Sequence, residues 1–131
     1  MDEAPTSQRD FHLELPSHTK AVGSARRWVE IVADPLPEPV VDDLRLLINE
    51  LVTNSIIHAA GSHIWLQVSL RPGVVRAEVW DQGKASAHPL MRDATLDDQS
   101  GRGLALVSGL SDRWGVSRVG HTGVWFEIDC P

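Results

Sequence analysis

The stretch that decides the fold of this chain is ELVTNSIIHA, residues 50–59, which reads as part of one helix. Within it, Glu50 and Asn54 are four residues apart. Because an α-helix advances about 100° per residue, the two side chains project only about 40° from each other. A carboxylate beside a carboxamide offers the oxygen ligands that Mg²⁺ takes, and Mg²⁺ often arrives with nucleotide phosphates. Such a pair alone is more often a solvated helix edge, so a nucleotide-site hypothesis needs support from the rest of the chain.

A first glycine motif follows a predicted strand. Asp81 comes directly after that strand, and Gly83 comes two residues later. The carboxylate could accept a hydrogen bond from an exocyclic amine, as on adenine, and the glycine would let the backbone approach a base closely. The alternative is an ordinary Asp-x-Gly turn, in which backbone chemistry favours both residue types.

A second glycine motif, Gly101-Arg102-Gly103, precedes a predicted helix. Backbone N–H groups and the helix dipole favour phosphate at such a position. The guanidinium of Arg102 could add charge-assisted hydrogen bonds. The alternative is a flexible glycine hinge at a helix start.

Composition and charge limit the class of protein. The 131 residues, 42% of them hydrophobic, suit one globular domain with its own core. The 18 acidic and 12 basic residues give a net charge of −6, which argues against general nucleic-acid binding. The single cysteine, Cys130, and an N-terminus without an apolar signal segment predict a cytoplasmic protein. No apolar run approaches the ~20 residues that span a bilayer, so no membrane partner is expected.

The apolar periodicity predicts the order β-α-α-β-β-loop-α-β-β. We expect a flexible N-terminus over residues 1–9 and one domain over 10–131, with Ser17 as the N-cap of the first helix. Alternation of apolar and polar residues predicts strands at 11–15, 64–70, 75–79, 114–119 and 123–129. Helical spacing predicts helices at 21–32, 40–59 and 103–110. Hairpins together with helices that have one apolar face predict a two-layer α+β sandwich, with the helices on one side of the sheet.

The three motifs, in this order, resemble the GHKL ATP-binding superfamily, which includes histidine-kinase ATPase domains, gyrase-type ATPases and anti-sigma-factor serine kinases. Residues 50–59 are similar to its N box, DQGKA at 81–85 to its G1 box, and GRGL at 101–104 to its G2 box. With the segments 15–17, 25–27 and 114–116, the chain also resembles small actinobacterial anti-sigma regulatory factors of the serine-protein kinase type.

The resemblance implies a Bergerat fold, with helices on one face of a mixed, mostly antiparallel sheet, and ATP and Mg²⁺ as cofactors. It implies that Glu50 is the general base, that Asn54 coordinates Mg²⁺ and that Asp81 reads adenine. It also implies that residues 84–100 form a lid over the phosphates. The remaining residues implied at the nucleotide are Gly83, Gly101, Arg102, Gly103, Leu104 and Thr122.

Three departures from the family pattern bear on nucleotide binding. Ala85 stands at the second G1 glycine, and the predicted lid is acidic around residues 93–99. The last strand reads GHTGVW at 120–125 where the family often has Gly-Lys-Thr before Val-Trp. The adenine-side threonine is therefore either Thr122, shifted by one position, or absent.

Two functions remain open at the level of sequence. In the first, the protein is a kinase that phosphorylates a serine or threonine of an anti-anti-sigma partner and otherwise sequesters a sigma factor. In the second, it is a binding module that keeps the fold, does not turn ATP over and regulates by partner exchange. The resemblance also implies a possible homodimer.

Overall fold

The computed structural model describes residues 8–58, 61–83, 101–118 and 120–130. The order of elements along the chain is as predicted. The predicted lid, residues 84–100, and most of the predicted flexible N-terminus lie outside the described residues. The elements are β1 (Arg9–Pro16), α1 (Lys20–Val32), α2 (Glu38–His58), β2 (His63–Arg71), β3 (Val74–Asp81), α3 (Gly101–Leu110), β4 (Arg113–Ser117) and β5 (Thr122–Asp129).

The five strands form one sheet in the order β1-β2-β3-β5-β4, and every neighbouring pair is antiparallel. The predicted hairpin of β2 and β3 is confirmed, and its turn contains Gly73 at φ +81°. That left-handed backbone region suits glycine, which has no Cβ to clash. After β3 the chain leaves the sheet, forms α3 and returns as the edge strand β4. The last strand, β5, then lies between β3 and β4 and pairs with both.

The helices lie on one face of the sheet, which confirms the predicted two-layer α+β architecture. α1 packs on β1, α2 on β3 and β5, and α3 on β4. The core between the layers contains Leu44, Leu47 and Val52 of α2, all fully buried, and Phe126 of β5. Burying such a side chain stabilises a fold by about 1.5–3 kcal/mol. The helix that carries the acid–amide pair is therefore anchored on the middle of the sheet.

Two helix starts differ from the sequence prediction for physical reasons. Ser17 is not the N-cap of α1; that position is Thr19, and the Lys20 N–H donates instead to Nδ1 of His18 at 3.2 Å. The α2 helix begins at Glu38, two residues before the predicted start at 40. Pro39 is tolerated there because the first-turn N–H groups have no intrahelical partner, and an acid in that turn complements the helix dipole.

Within the part of the chain that the structure describes, no helix combines the length and the apolar character needed to cross a membrane.

Candidate functional site

The centre of the candidate site is the carboxylate of Asp81, the last residue of β3, whose residue surface is only 8% exposed. The hydroxyl of Ser55 donates to Oδ2 at 2.7 Å, and the Gly83 N–H donates to Oδ1 at 2.7 Å. A buried carboxylate is costly unless it is hydrogen-bonded, and these two bonds meet that need. Because an ionised carboxylate has about four acceptor positions, Asp81 still has capacity for a donor from a ligand.

Gly83 makes this arrangement possible through its backbone conformation. It is buried, and its φ of +71° lies in the left-handed region. A side chain at that φ would be strained, whereas glycine adopts it freely. The chain can therefore fold back so that the Gly83 N–H reaches the Asp81 carboxylate. The Asp-x-Gly motif is therefore a turn that holds the Asp81 carboxylate in a fixed position, and recognition of adenine by that carboxylate stays a prediction.

Thr122 lies beside Asp81 in the sheet. The β3–β5 register pairs these two residues directly, and Ile64 pairs with Asp81 from the other side. Directly opposed residues of antiparallel strands have side chains on the same face, with Cβ atoms about 5 Å apart. The register therefore places Thr122 on the helix side of the sheet next to the Asp81 carboxylate, and its role as the adenine-side threonine stays a prediction.

Glu50 and Asn54 lie on the edge of α2 that faces away from α1. The ion pair between Arg45 and Glu30, 2.5 Å long, marks the edge that faces α1. At about 100° per residue, Glu50 and Asn54 project about 140° and 180° from Arg45. Since α2 lies between α1 on one side and α3 on the other, the acid–amide pair faces the α3 side.

Both side chains are half-buried, and within the described part of the chain neither has a hydrogen-bond partner. Asn54 is the sequence neighbour of Ser55, whose hydroxyl donates to Asp81, so the amide is one residue along α2 from the carboxylate network. The carboxylate of Glu50 and the amide oxygen of Asn54 are hard ligands of the kind that Mg²⁺ accepts. If the Asn54 amide alone binds the cation, water and phosphate supply its other ligands. Mg²⁺ bound with a nucleotide is coordinated in this way, so the residues present fit it.

The second glycine motif forms the beginning of α3, which starts at Gly101, two residues before the predicted start. Gly101, Arg102 and Gly103 therefore occupy the first turn, whose N–H groups have no partners within the helix. Leu104 is half-buried in α3, and this helix packs on α2. The G2 segment is therefore the first part of α3, the helix that packs on the side of α2 where the acid–amide pair lies. Lys84 and Ala85 lie outside the described residues.

Two polar residues at the site escaped the sequence prediction. Ser55 continues the buried stripe of α2 and is only 7% exposed. A hydroxyl in an otherwise apolar stripe is the signal that could have revealed it. Gln82 accepts hydrogen bonds at Oε1 from the backbone N–H groups of Ser62 and His63, and so ties the start of β2 to the Asp81 turn.

Comparison with known proteins identifies the family and the fold. A family model described as a histidine kinase-like ATPase domain matches residues 15–127, most of the chain. The fold is similar to the crystal structure of the RsbU and RsbW domains of Rv1364c from Mycobacterium tuberculosis, with 20% identity and a TM-score of 0.72. That match covers 94% of this chain and 33% of the other, so this chain spans about a third of its length. Among curated proteins no match is found.

The family match extends from the last residues of β1 into β5 and includes all three motifs of the candidate site. It confirms the resemblance drawn from the sequence, and the chain belongs to the histidine kinase-like ATPase domain family.

Proposed function

We propose that this domain binds ATP with Mg²⁺ on the α3 side of α2 and phosphorylates a serine or threonine of a regulatory partner protein in a sigma-factor pathway. The observation that carries the proposal is the Asp81 carboxylate, which Ser55 and Gly83 hold beside Thr122. It lies next to a helix edge with an acid and an amide available to a ligand. Family membership supports nucleotide binding in general, and the RsbW-containing structure supports a regulatory role.

Asp81 would select the base. Two donors fix its Oδ atoms, so the remaining lone pairs point in set directions. These lone pairs can accept a hydrogen bond from an exocyclic amine, whereas a carbonyl has no proton to donate. Guanine presents a carbonyl where adenine presents that amine, and a buried carboxylate facing a carbonyl would be repelled. We therefore expect a preference for ATP and ADP over GTP, and Asp81→Asn should reduce it.

Asn54 would hold Mg²⁺ through its amide oxygen. Bound there, the cation would neutralise charge on the phosphates. The role of the side chain is to fix the position of those phosphates relative to Glu50, one helical turn earlier. Asn54→Ala should make nucleotide affinity nearly independent of Mg²⁺ while the fold is retained.

Glu50 would accept the proton of the incoming hydroxyl. In the reaction, the hydroxyl oxygen forms a bond to the γ-phosphorus, the bond from that phosphorus to the β–γ bridging oxygen breaks, and ADP leaves. The hydroxyl proton passes to the Glu50 carboxylate. Positioning and electrostatics supply most of the rate in such transfers, and general-base help contributes about 10²–10⁴-fold.

The test compares Glu50→Gln with Asp43→Asn, which removes a carboxylate from the same edge of α2 two turns earlier. Transfer from labelled ATP to a serine-bearing candidate partner should fall about 10²–10⁴-fold in Glu50→Gln, with ATP affinity within a few-fold of wild type. Asp43→Asn should behave as wild type. A Glu50→Gln protein with normal transfer contradicts the base role.

Calorimetry tests the binding step separately. No ATP or ADP binding at millimolar nucleotide would contradict the whole proposal. If ATP binds but no phosphate leaves in the presence of serine-bearing partners, and a sigma factor is still held, the protein is a binding module that regulates by sequestration.

A further inference from the structure

The face of the sheet opposite the helices has a group of three tryptophan side chains. Trp65, Trp80 and Trp125 lie on this face, because their strand neighbours Ile64, Val79 and Phe126 point into the core. No described helix covers these tryptophans, and each is nevertheless half-buried. Trp80 is also held in place, because its indole N–H donates to Oε1 of Glu78 at 2.8 Å.

Glycines on the neighbouring strand make room for two of the rings. A Cβ at Gly123 would clash with the Trp80 ring, and a Cβ at Gly115 would lie 2.5 Å from Trp125 Nε1. The rings therefore lie close against the backbone of the next strand. Rigid indoles on a solvent-facing sheet are suited to recognition, because little side-chain freedom remains to be lost on binding.

The same face already holds one guanidinium group. Cζ of Arg76 lies 4.3 Å from the Trp125 ring centroid. Its Nε bonds Glu78 at 3.0 Å and its Nη1 bonds Glu127 at 3.1 Å. This sheet thus binds an arginine of its own chain between one indole face and two carboxylates.

A pocket of about 230 Å³ lies on this face across β1, β2 and β3 and has similar constituents. Trp65 and Trp80, directly paired in the β2–β3 register, supply two indoles, and Glu14 supplies a carboxylate that is 55% exposed. The imidazole of His63 lies 3.4 Å from Glu14 at the edge of this group. The described residues that line the pocket, none of them lysine or arginine, are His12, Leu13, Glu14, Trp65, Leu66, Gln67 and Trp80.

We propose that this pocket receives an arginine side chain of a partner protein. Its volume is below the 300–1,000 Å³ range of small-molecule sites and suits a single side chain. A planar guanidinium can stack on an indole and bond a carboxylate through two N–H groups, which an ammonium cannot do. The chain's net charge of −6 favours a basic partner. Arginine is also enriched in protein interfaces, often as an anchor.

The proposal is independent of nucleotide binding, because the pocket and the Asp81 site lie on opposite faces of the sheet. The probe is N-acetyl-arginine amide, and its control is N-acetyl-citrulline amide, which has nearly the same shape without the charge. The five indole N–H signals of the 131-residue chain are observed by NMR and assigned with single Trp→Phe variants. We expect saturable shifts at Trp65 and Trp80 with a Kd of about 1 mM, and at least about tenfold weaker binding of the citrulline probe.

The chain supplies internal controls for this titration. Trp114 is 38% exposed on the other face, and Trp125 already carries Arg76, so neither signal should respond. Glu14→Gln should weaken the arginine probe about two- to fivefold. Asp34→Asn, an exposed carboxylate in the turn after α1, should leave its affinity unchanged.

Trp65→Leu keeps apolar bulk, removes the π face and should weaken binding by about two- to fivefold as well. An unchanged backbone spectrum shows that this variant is folded. Equal binding of the two probes, or a response from all five tryptophans, would overturn the proposal. So would Trp65 and Trp80 signals that move with protein concentration alone, because the occupant would then be a second copy of the chain. Nucleotide affinity should be the same in every variant.

Discussion

The Ser55→Ala variant tests the hydrogen bond on which the candidate site depends. The substitution removes one hydroxyl from the buried face of α2 and leaves Oδ2 of Asp81 without its protein donor. Both residues are less than 9% exposed, so water cannot readily replace the lost hydroxyl. The Gly83 N–H continues to bond Oδ1, but the carboxylate is then held at one end only.

Two opposing effects decide the size of the change in stability. A hydrogen bond to a charged group contributes about 1.5–3 kcal/mol, and 2.7 Å between Ser55 Oγ and Asp81 Oδ2 is typical of a strong one. Alanine has a higher helix propensity than serine, and this difference raises the free energy of unfolding of the variant by about 0.5 kcal/mol. The hydrogen bond therefore dominates, and the free energy of unfolding should fall by about 1–2.5 kcal/mol.

Urea denaturation at neutral pH measures this change, and a double-mutant cycle assigns it. In an Asp81→Ala background the bond is already absent, so Ser55→Ala should cost little there, and the coupling energy should be about 1.5–3 kcal/mol. Ser111→Ala is the matched control, because the Ser111 hydroxyl donates to a neutral carbonyl, that of Val107. Its loss should be about 1 kcal/mol. A Ser55→Ala protein as stable as wild type would show that helix propensity outweighs the bond, and the account of the site would be wrong.

Two further predictions concern the helix-free face of the sheet. Gly123→Ala should destabilise the fold by about 1–3 kcal/mol, because its methyl group would clash with the pinned Trp80 ring, whereas Gly109→Ala in α3 has open space and should stabilise by up to about 1 kcal/mol. Equal denaturation midpoints for the two variants would contradict this. Arg113 lowers the pKa of the Glu127 carboxyl below its ordinary value of 4.5, so that pair stabilises the fold above this pH and the stability is lost as pH falls through the lowered pKa. Arg113→Met should therefore lose less stability than wild type on acidification from about pH 5 to pH 3, and parallel losses in thermal scans would refute the assignment.

The secondary structure could be predicted because the local pattern and the tertiary structure agree. In β2 the apolar residues Ile64, Leu66 and Val68 alternate with half-buried Trp65 and Gln67, as a sheet with one covered face requires. Boundaries were less predictable, because they depend on single contacts. The start of α1 is one example, because the Lys20 N–H donates to Nδ1 of His18 in place of the expected Ser17 cap.

The pairing of the last strand could not be predicted from local pattern. Nothing in the alternation of residues 123–129 indicates that β5 inserts between β3 and β4 instead of pairing at the edge. That choice depends on burial: a central strand buries residues such as Phe126, which is 0% exposed, against α2. The same choice places Thr122 opposite Asp81, a neighbour that the GHTGVW segment alone does not indicate.

The candidate site contains residues from three separate parts of the chain, and this explains which of them were found. Asp81 and Gly83 were found because their spacing is local and reflects backbone geometry. Ser55 was missed because its significance depends on a partner 26 residues away. In isolation the serine is only an interruption of an apolar stripe, while in the fold it is the donor that allows a carboxylate to be buried. A polar residue on the buried face of a helix therefore predicts a buried partner, and where the sequence also has an acid at the end of a central strand, the two should be tested as a pair.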